Sequence, residues 1–274
     1  MEVNAMVTME NKWLRNLALT TGLVAALVTA TAQAAEKVKL GVIGGAEEEI
    51  AEVAKKVAAT KGLDVELVTF SDYVQPNAAL NAGDLDANAF QHKPYLDAQI
   101  KAHGYQIVPI GFTIVEPIGL YSKKVKKLEQ LPTGAKIGIP NDPSNGARAL
   151  RLLAANGLIA FKDDKQDSPS LLDITKNPKK IKFYELEAPQ LPRALDDFDA
   201  AVINTNYSLN GGFDPIKDAL LQEPRKNNPY GNFIAVREQD KDKPVFKTLV
   251  ASYQSKEVSD FLDQRFKGAI LPAW

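Results

Sequence analysis

Residues 37–43 alternate polar and apolar positions and then run apolar, the pattern of a strand entering a buried sheet. Gly44 and Gly45 break the run. Over 47–61, Ile50, Val53, Ala54, Val57 and Ala58 recur at helical spacing. Glu47, Glu48 and Glu49 occupy the first turn, beside the positive end of the helix dipole. Gly62 ends that helix, and 64–70 reads as a second strand. Strand, helix and strand in this order predict a parallel pair joined by a right-handed crossover.

A short helical piece over 77–81 follows, ended by Gly83. Next comes Asp86-Ala-Asn-Ala-Phe-Gln-His-Lys-Pro-Tyr95, with an aromatic ring, an amide, an imidazole and a phenol between Phe90 and Tyr95. Pro94 suits the start of a helix over 93–102. Phe90, Gln91 and His92 are therefore expected on the turn between a short apolar strand and that helix. Ligand groups collect at such turns in α/β proteins, although aromatics in a loop also serve simply to fill a core. His103 and Gly104 close the helix. Residues 105–111 and 118–121 read as strands, and the lysines between 123 and 127 as a solvated turn.

A second α/β unit starts with a strand at 136–140. Asn141 to Gly146 supplies capping side chains for a helix that ends at Gly157. Arg148 falls near the positive end of that helix, against the dipole, which marks it out. Residues 161–180 form a polar connection with a short helix near Ser170. A strand at 181–186, a helix at 192–198 and a strand at 199–204 follow, the last ending on Asn204-Thr-Asn-Tyr207. A strand at 233–236 and helices at 245–252 and 258–266 complete the pattern.

The 274 residues carry 33 Lys and Arg against 34 Asp and Glu, so no basic excess draws nucleic acid. Cysteine is absent, which removes disulfides, thiolate metal sites, a cysteine nucleophile and cysteine-linked lipid. Two histidines are too few for a His-rich metal site. No Walker loop or G-x-S-x-G elbow occurs. The glycines after the first strand do not make a dinucleotide fingerprint, and the glutamates beside them would repel a phosphate. No cofactor and no catalysis are expected. At the N-terminus, Lys12 and Arg15 precede a charge-free run over 16–35 with Leu17, Leu19, Leu23, Val24, Leu27 and Val28 as its apolar body. It ends in Ala32-Gln-Ala34, so residues 1–34 read as a cleavable signal peptide. An uncleaved anchor is the competing reading.

Polar groups at predicted strand ends remain: Tyr73, Phe90, His92, Tyr95, Asn145, Arg148, Asn204 and Asn232. One guanidinium offers a fork for a carboxylate, amides both donate and accept, and aromatic rings give an apolar wall. The set suits a small zwitterion with an apolar tail.

Tyr73, the 86–95 stretch, Asn141-Asp-Pro-Ser-Asn145, Glu187-Ala-Pro-Gln-Leu-Pro-Arg193 and Ala201-Val-Ile-Asn204 closely resemble the NlpA-type family of methionine-binding proteins of bacterial ABC importers. The resemblance runs from about Val38 to Trp274. It implies an α/β fold of two lobes, the two-lobed periplasmic-binding-protein fold, each lobe a mostly parallel sheet flanked by helices, with the ligand in the interlobe cleft. Lobe 1 would comprise 35–118 and 234–274, and lobe 2 would comprise 119–233. By the same resemblance Tyr73, Phe90, His92 and Tyr95 line the methionine side chain. Asn145 and Arg148 grip the carboxylate, while Asn204 and Asn232 hold the amino-acid backbone. The implied partners are methionine and an ABC importer permease in the inner membrane. Members usually carry a lipid-modified cysteine, which this sequence lacks, so a periplasmic protein without a lipid anchor is expected. Another small apolar amino acid or a short peptide is the alternative ligand. An enzyme using His92 as a base, and a surface protein that has lost transport, are the readings from other classes.

Overall fold

The computed structural model describes residues 36–163 and 168–274. The expected signal peptide lies outside the described residues. In chain order the first elements are β1 (Glu36–Ile43), α1 (Ala46–Thr60), β2 (Leu63–Phe70), α2 (Gln75–Ala82), β3 (Ala87–His92), α3 (Lys93–His103) and β4 (Ile107–Val115). A second group follows with β5 (Gly119–Tyr121), β6 (Lys136–Pro140), α4 (Pro143–Ala155), β7 (Ala160–Phe161), β8 (Ile174–Lys176) and β9 (Lys182–Leu186). It continues with α5 (Leu191–Ala194), β10 (Ala200–Ile203), α6 (Thr205–Asn210) and β11 (Ala219–Gln222). The chain then returns to the first group through β12 (Gly231–Arg237), α7 (Pro244–Tyr253), α8 (Lys256–Phe266) and β13 (Leu271–Pro272).

Apart from β7 and β8, which pair with each other, these strands form one sheet in each of two lobes. The first has the order β13-β4-β12-β3-β1-β2 and the second β11-β5-β10-β6-β9. In the first, β1 pairs in parallel with both β2 and β3, as the strand–helix–strand pattern predicts. The sheets are more mixed than expected, because β12 runs antiparallel between β3 and β4. Likewise β10 runs parallel to β6 but antiparallel to β5. Returning strands need no crossover helix when they arrive from the other lobe, so they enter in the opposite sense.

Each lobe has its own apolar core. Leu40, Val42, Ile50, Ala54, Leu249 and Leu262 bring α1, α7 and α8 onto the first sheet. Ile137, Ile139, Leu150, Leu153 and Val202 pack α4 onto the second. Fully burying each such aliphatic side chain is worth about 1.5–3 kcal/mol. A third cluster, containing Phe90, Tyr95, Tyr121, Leu191 and Tyr207, joins residues of both lobes. Among the described residues no helix is long and apolar enough to cross a membrane.

Two connections cross between the lobes, at 116–118 and 223–230, and they are tied to each other. The Glu223 amide donates to the Ile118 carbonyl at 3.0 Å. The Ile118 amide donates to the Glu223 carboxylate at 3.1 Å. Away from the crossovers, Asn210 Nδ2 of α6 donates to the Gly44 carbonyl at 3.0 Å. Gly45 has φ +98, and a Cβ there would lie 2.1 Å from Asn210 Oδ1. The turn between β1 and α1 therefore needs glycine twice over, for its backbone angle and for the approach of α6.

Gly45→Ala is expected to lower stability in urea by about 1–3 kcal/mol, the usual cost of such a backbone conformation. Adding Asn210→Ala should restore only the part due to the clash.

Candidate functional site

β3, β6 and β10 all deliver their carboxyl ends to the gap between the lobes, and the helices or turns after them carry polar groups. The stretch 86–95 differs from its sequence reading in one respect. Phe90, Gln91 and His92 are the last residues of β3 and not a turn, all three buried. His92 is the N-cap of α3, its Nδ1 accepting from the Tyr95 amide at 3.3 Å, and Pro94 sits in the first turn. The strand continues to the cap because β12 pairs with it as far as His92, which lies opposite Asn232.

A narrow cavity lies between the lobes. Tyr73, Phe90, His92 and Tyr95 line it from the first lobe, and Asn232 joins them from β12. Asn145 and Arg148 of α4 and Asn204, the N-cap of α6, line it from the second. All eight residues singled out in the sequence thus meet in one place. Gln91, Glu116 and Thr205 line it too.

The aromatic side is a cluster of edges and tilted faces. The Tyr73 ring is 6.0 Å from Phe90 and 6.0 Å from Tyr95. Tyr95 Oη donates to the Tyr73 carbonyl at 2.7 Å, and Tyr73 Oη donates to Asn206 Oδ1 across the lobes at 2.7 Å. Behind it, Gln91 is locked to Asn77 by two reciprocal 2.7 Å amide bonds and to Asn88 at 3.0 Å. A buried polar cluster holds only when its members satisfy one another, and this one fixes β3 against the start of α2.

The polar side differs from the expectation in how far its groups are already engaged. Arg148 is 3% exposed, and its charge is met by a carboxylate of the protein. Nε donates to Glu223 Oε1 at 2.8 Å and Nη2 to Glu223 Oε2 at 2.5 Å. Nη2 also reaches the Glu116 carbonyl at 2.8 Å. The guanidinium lies 4.1 Å above the Tyr230 ring. The Arg that opposes the helix dipole is therefore compensated by an acid far away in sequence. Asn145 is a hub. Its amide and Nδ2 both donate to Asp142, at 2.9 and 3.0 Å, while its Oδ1 accepts from Asn204 Nδ2 at 3.0 Å. His92 Nε2 lies 3.1 Å from the same Oδ1. Since Nδ1 is the acceptor at the cap, Nε2 carries the proton. Asn204 Oδ1 is buried and has no partner among the described residues, and Asn232 Nδ2 donates to the Phe90 carbonyl at 3.2 Å.

Burial, reinforced by the Arg148 charge, pushes the His92 imidazole down to about 3, so it stays neutral. Burial pushes the Glu116 carboxyl up to about 7, with Arg148 opposing. Burial and the nearby Glu116 hold the Glu47 carboxyl well above the carboxylate range. Tyr73 is likewise raised by burial. Glu116, Glu223 and Glu47 are the chemically important residues that sequence reasoning missed. Glu47 was read as a dipole companion of α1, and only Glu116-Pro117 at the junction of two strands hinted at a special acid.

A two-lobed α/β molecule whose crossovers flank a polar and aromatic cavity has the architecture of a solute-binding protein. The chain belongs to the NlpA lipoprotein family, whose model matches residues 38–274. It is 52% identical over 247 residues to the D-methionine-binding lipoprotein MetQ of Yersinia pestis, covering 89% of this chain and 91% of that one. A nutrient binding protein from Burkholderia cenocepacia bound to methionine superposes with TM-score 0.84 at 52% identity, covering 86% of this chain and 100% of that one. An ABC transporter periplasmic substrate-binding protein from Coxiella burnetii gives 0.83 at 51%, with coverage of 86% and 100%. These names overturn the expectation of a protein without a lipid anchor: both the family and the Yersinia relative are called lipoproteins. The missing cysteine was too narrow a ground for that expectation.

Two outcomes follow from this geometry. Arg148→Met should destabilise the protein by about 3–5 kcal/mol in urea, because it strands Glu223 as a buried unpaired charge, and Glu223→Gln in the same chain should recover part of the loss. The His92 ring nitrogens should keep the neutral, Nε2-protonated signature in ¹⁵N NMR from pH 8 to pH 5. With the folded value near 3 and the unfolded one near about 6.5, the folded state binds fewer protons in between. His92 therefore costs stability progressively as pH falls below about 6.5.

Proposed function

We propose that this chain binds methionine in the interlobe cavity and delivers it to the membrane permease of an ABC importer. The observation that carries the reading is the division of the cavity into an aromatic wall and a wall of amides and charge, enclosed by two lobes. Sulfur against ring edges is favourable, which gives Tyr73, Phe90, His92 and Tyr95 a reason to surround a thioether. On the polar wall, Asn204 Oδ1 and Asn232 face the α-amino and carboxylate groups. Arg148 offers the carboxylate only the nitrogen that Glu223 and the Glu116 carbonyl leave over, so it contributes one hydrogen bond and the positive potential. Asn145 acts chiefly as the link between His92 and Asn204. The first lobe is taken as 36–115 with 231–274 and the second as 119–222, joined by the two crossovers, so that β12 carries Asn232 in the first lobe.

Contacts with the ligand from both lobes favour the closed arrangement, because only differential contacts shift such an equilibrium. Docking of the closed form on the permease completes delivery. Another small apolar amino acid is the nearest alternative.

Mass spectrometry of small molecules released on denaturing the purified protein, with calorimetry of the stripped chain, tests this. Methionine should bind one to one, and Phe90→Ala should weaken it by tenfold or more, about 1.4 kcal/mol. Absence of any heat with methionine, or release of an unrelated molecule, would refute the assignment.

A further inference from the structure

Glu47 and Glu116 form a buried acid pair for which the contacts assigned so far have no use. Glu47 stands in the first turn of α1 and is 3% exposed; Glu116 stands on the first crossover, is 8% exposed and lines the cavity. The two carboxyl groups lie close enough to act on each other. Glu47 Oε2 also accepts from the Ile43 amide at 3.4 Å. One oxygen of each carboxyl, Oε1 in both, finds no donor among the described residues. Two ionised carboxylates in such contact repel without screening, so the pair keeps a proton.

The surroundings decide where that proton sits. Arg148 of α4 acts on Glu116 and favours its anion, whereas burial and Glu116 itself act on Glu47 and no cation favours its anion. The other titratable groups facing the pair carry no free charge. Tyr73 after β2, Tyr207 of α6 and Tyr253 of α7 are held as neutral phenols by burial. His92 is neutral, and Glu223 is neutralised by Arg148. Glu47 is thus the acid and hydrogen-bond donor, and Glu116 the anion presented to the cavity.

We propose that Glu116 receives the ammonium group of the bound amino acid and that Glu47 is the positioning residue that holds it there through its proton. This rests on reading the cavity as an amino-acid site. It adds a cation-accepting group beside the carboxylate-binding Arg148, whose Nη2 donates to the Glu116 carbonyl at 2.8 Å. When Glu116 is already ionised, docking exchanges no proton. When Glu116 is protonated, its proton leaves to solvent as the ammonium N–H takes its place, one proton per ligand.

Calorimetry of the full chain with methionine at pH 5, 6, 7 and 8, in two buffers of different ionisation enthalpy, reads this directly. Proton release should approach one per ligand at pH 5 and vanish by pH 8. Affinity should rise by about tenfold per pH unit up to about pH 7 and then level. Glu116→Gln should flatten that profile, weaken methionine at pH 8 and abolish its preference over the α-hydroxy analogue of methionine. Glu47→Gln, which keeps a donor, should preserve binding at pH 8, whereas Glu47→Ala should not. Tight wild-type binding with the same affinity and proton count at pH 5 and pH 8 would overturn the proposal while leaving methionine binding intact. So would a folded Glu116→Gln variant that still rejects the hydroxy analogue. No heat at any pH would remove the amino-acid reading itself.

Discussion

The ion pair between Arg148 and Glu223 holds the centre of this molecule. Glu223 belongs to the second crossover, accepts from the Ile118 amide of the first, and takes two hydrogen bonds from a guanidinium on α4. One side chain therefore fixes both hinge segments to the helix that carries the polar wall. A buried pair of this kind adds little net stability over an apolar replacement, but loss of one partner is severe. Its use here is geometric: it sets where Arg148 points, and with it the field felt by His92 and Glu116.

From that anchor the rest of the site follows in short steps. Burial and the Arg148 charge keep His92 neutral, which makes Nε2 a donor to Asn145 and Nδ1 the cap of α3. Asn145 passes the connection to Asn204 at the head of α6. The same helix meets the first lobe through Asn206, Tyr207 and Asn210, with Tyr207 Oη reaching the Ser71 carbonyl at 3.1 Å. The lobes are joined by this chain of polar contacts together with the apolar cluster around Phe90, Tyr95 and Tyr207, in a design that can part and re-form about two tied crossovers.

Much of this was legible in the sequence. Periodicity placed β1, α1, β2, β6 and α4 within a few residues, because each has a strong apolar pattern and a glycine or proline at its edge. The eight residues that line the cavity could be picked out because they are chemically conspicuous groups near strand ends. What periodicity could not show were partners distant in sequence. Arg148 looked like a free cation because Glu223 is far along the chain, and Glu47 looked like one of three glutamates matched to the dipole of α1. The helix α6 was hidden in a polar run with no apolar stripe, since it is enclosed by both lobes. Strands β11 and β13 were too short to carry a period of their own.

The central claim is that a ligand in this cavity draws the lobes together. The chain has no native cysteine, so Lys101→Cys on α3 and Leu172→Cys in the second lobe would take a dye pair cleanly at exposed positions. Single-molecule energy transfer between them should show a broad distribution without methionine that narrows to one short distance when methionine is added. Methionine binding that leaves the distribution unchanged would contradict the account.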